Sequence, residues 1–258
     1  MRDIRFRLRS LARLSMFGLA WLGQAGLAQA ATFSVTPTRI VLAPTATSAV
    51  VALSNSSNVP MRFQLSAFAW DQTEGGQVVL LDTKDVVVYP SLVTVAPGES
   101  RRIRVAVSAP AAVIERSYRL FVEELPNHAD APSPQMGVSV RTKMGIPIFV
   151  TGPKQTPRVA VTSLELVDGA LVVRVSNDGT AHTVLDQIRV RGESPSGEEL
   201  FTRTVNGWYL LAGRGQVFSI AIPSADCAAA AAFTVIAESA DGRPSRHVPV
   251  HAPNCSAK

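Results

Sequence analysis

Hydrophobic residues recur at every second position in short runs along this chain, and such alternation predicts strands with one apolar face. Glycine, proline, asparagine and serine separate the runs at intervals of about ten residues, which is typical of an antiparallel sandwich. The predicted strands of the first half are Ala49–Leu53, Met61–Trp70, Val86–Val88, Ser100–Val107 and Ser117–Leu125. Those of the second half are Val159–Val167, Ala170–Val175, Val184–Val190, Trp208–Leu211, Gln216–Ile222, Ala232–Glu238 and Arg246–Val250. No long stretch has a helical period, and the alanine-rich run near Ala228 is the only candidate for a helical turn.

One more alternating run lies near the middle of the chain. Met136, Val138 and Val140 alternate with small or polar residues, and the run continues to Val150. It follows a proline-rich segment and precedes a Gly-Pro pair at 152–153, so we expect the last strand of a first domain. Such an apolar row is either buried by its own domain, as most alternating apolar residues are, or available at an open edge to another chain.

The predicted fold is therefore all-β, with two immunoglobulin-like β-sandwich domains in series. The break falls at Thr151–Pro157, where two prolines in a polar stretch cannot donate to a strand ladder. We assign residues 31–150 to the first sandwich, 151–157 to a hinge and 158–258 to the second sandwich. Each half is long enough to bury its own core.

Residues 1–30 have the features of a secretory signal peptide. Five arginines precede a short apolar stretch, Met16–Gly23, and Ala28-Gln29-Ala30 is a small-residue cleavage site. The alternative is an uncleaved membrane anchor, but a spanning helix needs roughly 20 predominantly apolar residues. We expect cleavage, an exported protein and no stable membrane insertion afterwards.

The charge balance changes when the leader is removed. The leader holds five Arg and one Asp, which is most of the formal net charge of +5. The remaining chain is near neutral, so its charge does not indicate nucleic acid or acidic lipid as a partner.

Two cysteines, Cys227 and Cys255, are the only ones in the chain. An even number of cysteines in an exported protein favours one disulfide over two free thiols. The alternative is that Cys227, beside the alanine-rich run, is simply buried.

Catalytic and cofactor motifs are missing from the sequence. There is no nucleophile elbow, dinucleotide fingerprint, phosphate loop or zinc-protease motif. His247 and His251 lie in an extended segment that separates them by about 13 Å, so we expect no metal site. His182 follows an Asn-Asp-Gly turn and is predicted to be a loop residue. We therefore expect neither an enzyme nor a cofactor.

The chain resembles the periplasmic, usher-dependent pilus-assembly chaperones of the PapD-like kind. The resemblance covers essentially the whole chain after the leader and is strongest in the first half. The motifs that carry it are Thr38-Arg39, Ser54-Asn55-Ser56 followed by Pro60, Tyr89-Pro90-Ser91, Ala96-Pro97-Gly98-Glu99-Ser100 leading to Arg104, Tyr118-Arg119-Leu120-Phe121, Glu124-Leu125-Pro126, and Arg141-Thr142-Lys143 running to Pro147-Ile148-Phe149-Val150.

The resemblance implies a boomerang of two sandwiches in the periplasm. Members of this family lend the last strand of their first domain to a pilin that lacks its own final strand, and deliver it to an outer-membrane usher. Met136, Val138 and Val140 would then fill successive pockets of the pilin. Self-association of the free chain is one way to cover such an edge.

The resemblance also implies cations that hold the C-terminal carboxylate of the pilin. Arg39 matches the first of them in its Thr-Arg context, and Lys143 is the nearest cation to the second, whose place is held by Gly145. This departure predicts a divergent branch, one serving spore-coat-like or archaic pili. The remaining alternative is an exported Ig-like binding or adhesion module without chaperone activity.

Overall fold

The computed structural model describes residues 33–110, 112–126, 140–250 and 255. The predicted leader, and with it the question of an anchor, lies outside these residues. In the described part of the chain, no helix is long and apolar enough to cross a membrane.

The first half of the described chain forms ten strands. They are β1 (Phe33–Thr36), β2 (Ile40–Leu42), β3 (Ser48–Asn55), β4 (Met61–Gln72), β5 (Val78–Asp82), β6 (Val86–Tyr89), β7 (Leu92–Val95), β8 (Ser100–Val107), β9 (Arg116–Leu125) and β10 (Lys143–Val150). One sheet has the order β1-β3-β8-β6, and the other has the order β2-β10-β9-β4-β5 with β7 also paired to β4. Buried apolar side chains of both sheets form one core, which includes Val51, Phe63, Ile103 and Leu120.

The second half forms eight strands and one short helix. They are β11 (Val159–Val167), β12 (Ala170–Asn177), β13 (Thr183–Glu193), β14 (Glu199–Asn206), β15 (Tyr209–Leu210), β16 (Arg214–Ala221), α1 (Ser224–Ala229), β17 (Ala232–Ser239) and β18 (Ser245–Pro249). The sheets have the orders β11-β12-β16 and β14-β13-β17-β18, with β15 paired to β13. A second core lies between them, around Val173, Ile188 and Val235. The prediction of two β-sandwiches is confirmed, whereas the assigned domain boundaries stay a prediction.

A disulfide joins Cys227 of α1 to Cys255. Both residues are buried and belong to the core of the second sandwich. The predicted helical turn beside Ala228 is α1. Because the bridge spans 28 residues of sequence, it holds the end of the described chain against α1.

One predicted strand begins later than expected. The sequence predicts a continuous strand from Met136, but β10 begins at Lys143, and residues 140–142 are not in a strand. Beyond the strand, the backbone N–H of Glu124 still donates to the Thr142 carbonyl at 3.0 Å, and β9 ends one residue later at Leu125, so Val140 has no residue of β9 opposite it. Met136 and Val138 lie outside the described residues.

Candidate functional site

Strand β10 has two different faces. Met144, Ile146, Ile148 and Val150 point into the core of the first sandwich. The alternate residues lie on the opposite face, because successive side chains of a strand point to opposite sides. That outer face carries Lys143, Gly145, Pro147 and Phe149, and it is where the candidate site lies.

One edge of β10 is only partly covered. Its whole length pairs with β9, from Lys143 opposite Glu123 to Val150 opposite Arg116. On the other side β2 pairs in parallel only with Ile148–Val150. Among the described residues, no strand pairs with the stretch from Lys143 to Pro147 on that side, so its backbone groups face outwards.

Val140, the described member of the predicted apolar row, is exposed. Its relative accessibility is 81%. Counting in steps of two, Val140 is in phase with Met144 and Ile146, the core-facing row of β10. The apolar row that packs the core of the first sandwich at one end of the segment therefore has an exposed member beyond the strand.

Lys143 lies at the start of the open edge and is already paired. Its Nζ is 2.9 Å from Oε2 of Glu123, the residue opposite it on β9. It also lies 5.0 Å from the ring centroid of Phe121. Both partners of the ion pair are about half exposed, so the pair contributes about 0–1 kcal/mol and leaves the ammonium accessible.

Arg39 lies between β1 and β2 and is exposed. It directly precedes Ile40, the residue of β2 that pairs with Ile148. One step back along this parallel register places Arg39 level with Pro147, where the open edge ends. Within the described ranges, no carboxylate forms an ion pair with it.

Arg119 is a third cation near this edge, and its surroundings are aromatic. It lies on β9 opposite Pro147. The guanidinium carbon is 4.6 Å from the ring centroid of Trp70 and 5.7 Å from that of Trp208. Burial lowers the pKa of this guanidinium from its ordinary value, opposed by a smaller electrostatic effect of Tyr209. No carboxylate of the described part of the chain forms an ion pair with Arg119.

Two hydrogen-bond donors of this aromatic cluster have no acceptor. Both Nε of Arg119 and Nε1 of Trp70 are buried without a hydrogen-bond partner in the described structure. A buried donor that stays unpaired costs about 1–3 kcal/mol, so most such groups in proteins are paired.

Gly145 leaves space above the strand for the Arg119 side chain. A Cβ placed on Gly145 would lie 3.2 Å from Nε of Arg119 and 3.1 Å from the ring of Phe121. The Arg119 side chain therefore passes close over β10 at Gly145. Any larger residue at 145 would have to displace Arg119 or Phe121.

The far end of β10 is fixed to the second sandwich. The ring of Phe149 stacks on His182, with centroids 3.4 Å apart and planes 7° apart. His182 in turn contacts the buried carboxylate of Glu115: its backbone N–H donates to Oε1 at 3.0 Å, and its Nδ1 lies 2.7 Å from the same atom. Phe149 also packs with Trp70, Leu211 and the partly buried Tyr209.

Strand β4 makes a second set of contacts with the second sandwich. The buried amide of Gln72 donates from Nε2 to the carbonyl of Tyr209 at 2.7 Å and accepts from the N–H of Leu211 at 2.8 Å. Beside it, Arg214 binds both carboxylate oxygens of Asp71, at 2.5 and 2.7 Å. These hydrogen bonds lower the pKa of Asp71 and raise that of Arg214.

Sequence reasoning missed Arg119, Trp70, Glu115 and the contacts of His182. Arg119 was recognised only as part of a motif, and Trp70 only as the end of a predicted strand. The one available signal for Arg119 is that it lies two residues from Phe121 and alternates with the core residues Tyr118 and Leu120, which places it on the outer face. His182 is a loop residue, as predicted, but its stacking on Phe149 joins residues far apart in the sequence.

Comparison with known proteins finds a family model for the first sandwich. Residues 32–156 match the family model described as pili and flagellar-assembly chaperone, PapD N-terminal domain. No curated protein sequence matches the chain significantly.

Solved structures with the same architecture include three chaperone structures. A chain of the CsuC–CsuE chaperone–tip adhesion subunit pre-assembly complex, from archaic chaperone-usher Csu pili of Acinetobacter baumannii, is 19% identical, with 84% of this chain and 98% of that chain covered and a TM-score of 0.60. The YadV chaperone is 13% identical, with 85% and 100% covered and a TM-score of 0.55. A chain of the complex of SafA pilin with the SafB chaperone from Salmonella enterica is 12% identical, with 86% and 98% covered and a TM-score of 0.52. At these identities the similarity establishes the fold.

Proposed function

We propose that the chain binds pilin subunits by lending them a strand and delivers them to an outer-membrane usher. The match of residues 32–156 to the PapD N-terminal domain of the pili and flagellar-assembly chaperones supports this proposal. The chain's place of action is the periplasm, which the predicted signal peptide supports. Two of the similar solved structures hold a chaperone together with an adhesion subunit or a pilin, which supports a partner of the same kind here.

The open edge of β10 is the observation that carries this proposal. On the side away from β9, its backbone from Lys143 to Pro147 pairs with no strand in the described structure, and exposed Val140 lies in phase with the core-facing row. A pilin that lacks its final strand presents the complementary surface, with unpaired backbone groups and exposed core. Pairing the two satisfies both partners.

The apolar row supplies the side chains for this pairing. Met136, Val138 and Val140 share the phase of Met144, and in the complex they would fill pockets of the pilin. Each side chain contributes roughly 1.5–3 kcal/mol if it is fully withdrawn from water. The same row, left exposed, is a reason for the free chaperone to self-associate.

The cations at the open edge would anchor the end of the subunit. Arg39, without a carboxylate partner in the described chain, and Lys143, in a weak and exposed pair with Glu123, are both accessible. In this proposal they hold the pilin's C-terminal carboxylate through charge-assisted hydrogen bonds.

Co-expression tests the proposal. The chain is expressed with candidate exported subunits of a pilus gene cluster, as wild type and as the double variant Val138→Asp, Val140→Asp, and soluble complexes are purified and quantified. We expect a one-to-one complex with wild type and none with the double variant, because a carboxylate cannot enter an apolar pocket without a large desolvation cost.

The matched control is the double variant Val50→Asp, Val87→Asp, which changes two exposed valines in the other sheet of the same sandwich. It should bind the subunit as wild type does. If the Val138 and Val140 variant is folded and still binds, another surface recognises the subunit, and an Ig-like binding or adhesion module becomes the better interpretation.

A further inference from the structure

The cluster around Arg119 has the properties of an anion site. It holds a cation with no carboxylate partner among the described residues, and two buried donors, Arg119 Nε and Trp70 Nε1, without an acceptor. Withdrawing a cation from water is unfavourable unless a counter-charge is present. A bound carboxylate would supply the counter-charge.

The aromatic rings hold the guanidinium in place. Trp70 and Trp208 both lie within cation–π distance of it. A planar guanidinium held against aromatic rings loses little further freedom when it binds a carboxylate in a bidentate manner.

The pairing of β10 determines which part of a partner would reach this cluster. A strand added to the open edge can follow β10 from Lys143 to Pro147, but β2 already occupies the edge from Ile148 onwards. The added strand must therefore leave the edge or end opposite Pro147. Arg119 is the residue of β9 paired with Pro147.

Arg119 lies across β10 from such a strand, at a distance of two strand spacings, or about 9.6 Å between backbones. A long side chain can cover this distance only if nothing stands on the intervening strand. Gly145 meets that condition, since Arg119 Nε lies 3.2 Å from the position that a Cβ there would occupy.

We propose that Arg119, framed by Trp70 and Trp208, binds the C-terminal carboxylate of the subunit and supplies the cation that a side chain at position 145 would otherwise provide. The inference rests on the proposed function and names the residue that recognises the chain end. An N-terminal ammonium would be repelled by Arg119, so the site also requires the carboxyl end of the added strand to lie at Pro147. This place is about 13 Å along β10 from Lys143, so Arg119 takes the anchoring role that the proposed function gives to Lys143. The added strand then runs parallel to β10, as β2 does.

Subunit binding tests the role of Arg119. The variants are Arg119→Gln, Arg119→Lys and the control Arg102→Gln, which removes the same charge from an exposed position on β8 of the other sheet. Each is measured against the co-expressed subunit, with its natural C-terminus and with one added C-terminal glycine. Loss of one charge-assisted interaction corresponds to about a 10- to 100-fold weaker complex.

For the natural subunit we expect this loss with Arg119→Gln, a smaller loss with Arg119→Lys and none with Arg102→Gln. The added glycine should weaken binding to wild type but weaken Arg119→Gln little further, because both changes remove the same contact. Equal binding by Arg119→Gln and wild type, or an undiminished effect of the glycine on Arg119→Gln, would overturn the inference while the proposed function stands.

A compensating variant separates the role of charge from that of packing. Removing the side chain in Arg119→Ala opens the space that a residue at 145 would need, so Gly145→Lys added to it should restore part of the lost affinity. Gly145→Lys alone should weaken binding because it displaces Arg119. If the variant with both Arg119→Ala and Gly145→Lys is folded, as judged by circular dichroism, but recovers no subunit affinity, a cation at position 145 cannot replace Arg119.

A titration without any subunit tests the site independently of the proposed function. The Arg119 Nε–H and Trp70 Nε1–H signals are followed by nitrogen-15 NMR as N-acetylglycine or its amide is added. Both signals should shift with the acid and not with the amide. No shift with the acid would overturn the carboxylate site. A shift in a protein that captures no subunit would support the site and contradict the proposed function.

Discussion

The buried amide of Gln72 allows a quantitative test of how the two sandwiches are joined. Its two hydrogen bonds reach the backbone of Tyr209 and Leu211, and the residue is only 4% exposed. Gln72→Met keeps the length and flexibility of the side chain but removes both polar atoms. The carbonyl of Tyr209 and the N–H of Leu211 then remain buried without partners.

Each backbone group left unpaired costs about 1–3 kcal/mol, and the added apolar surface of methionine recovers part of this. We expect the free energy of unfolding to fall by about 2–4 kcal/mol. For a chain of this size that corresponds to a fall in melting temperature of about 5–15 °C. Because the lost bonds join the two sandwiches, their unfolding transitions should also move apart.

Urea unfolding measures both effects, with tryptophan fluorescence reporting on Trp70 and Trp208 near the joint and far-ultraviolet circular dichroism on all strands. The control is Gln77→Met, the same replacement at an exposed residue just before β5. A variant at Gln72 that unfolds within about 0.5 kcal/mol of the wild type, in one transition, would refute the reasoning.

Two further predictions concern the disulfide and the Asp71–Arg214 pair. Replacing Cys227 and Cys255 together by alanine should lower the free energy of unfolding by about 3–4 kcal/mol, which is the loop-entropy value for the 28 residues spanned. Adding reductant to this double variant should have no further effect on its unfolding in urea. Because Arg214 lowers the pKa of Asp71 below its ordinary 3.8, the pair stabilises the folded state at pH values above 3.8, and this contribution is lost as the pH falls through the lowered pKa. The difference in unfolding free energy between wild type and Asp71→Asn should thus be constant from about pH 7 to about pH 5 and shrink below about pH 4; an unchanged difference in acid would contradict the assignment.

Most strands could be predicted because each buries one face in a nearby sheet. Ser100–Val107 and Val159–Val167 have the predicted ends, and Met61–Trp70 is two residues shorter than β4. The extra residues include Gln72, a polar side chain that no apolar pattern indicates. It is buried by the second sandwich, which local sequence does not show.

Short strands were missed for a different reason. β2 has three residues, Ile40–Leu42, too few to establish alternation, yet it determines where the open edge of β10 ends. The start of β10 was also misplaced, since alternation at Val140 continues where β9 has already ended. Alternation shows which face of a segment is apolar but not how far a neighbour extends.

The surroundings of Arg119 could not be predicted from the sequence, and the anchoring roles of Arg39 and Lys143 stay a prediction. Arg119 owes its surroundings to Trp70, on a neighbouring strand, and to Trp208, from the second half of the chain. Gly145 was recognised as a departure from the family pattern, but the side chain that uses the space became visible only in three dimensions.

Strand β10 pairs with β9 along its whole length, but its other side is covered only at the root, where β2 lies, and is open at the tip. Its root is fixed where Phe149 stacks on His182 and Ile148–Val150 pair with β2, while its tip leads to exposed Val140. In the proposed complex, the backbone at the tip can pair with subunits of different sequence, because ladder hydrogen bonds do not depend on side chains, and β2 at the root sets where each added strand ends. Under the proposed function, one chain can thereby present a series of related subunits in the same alignment.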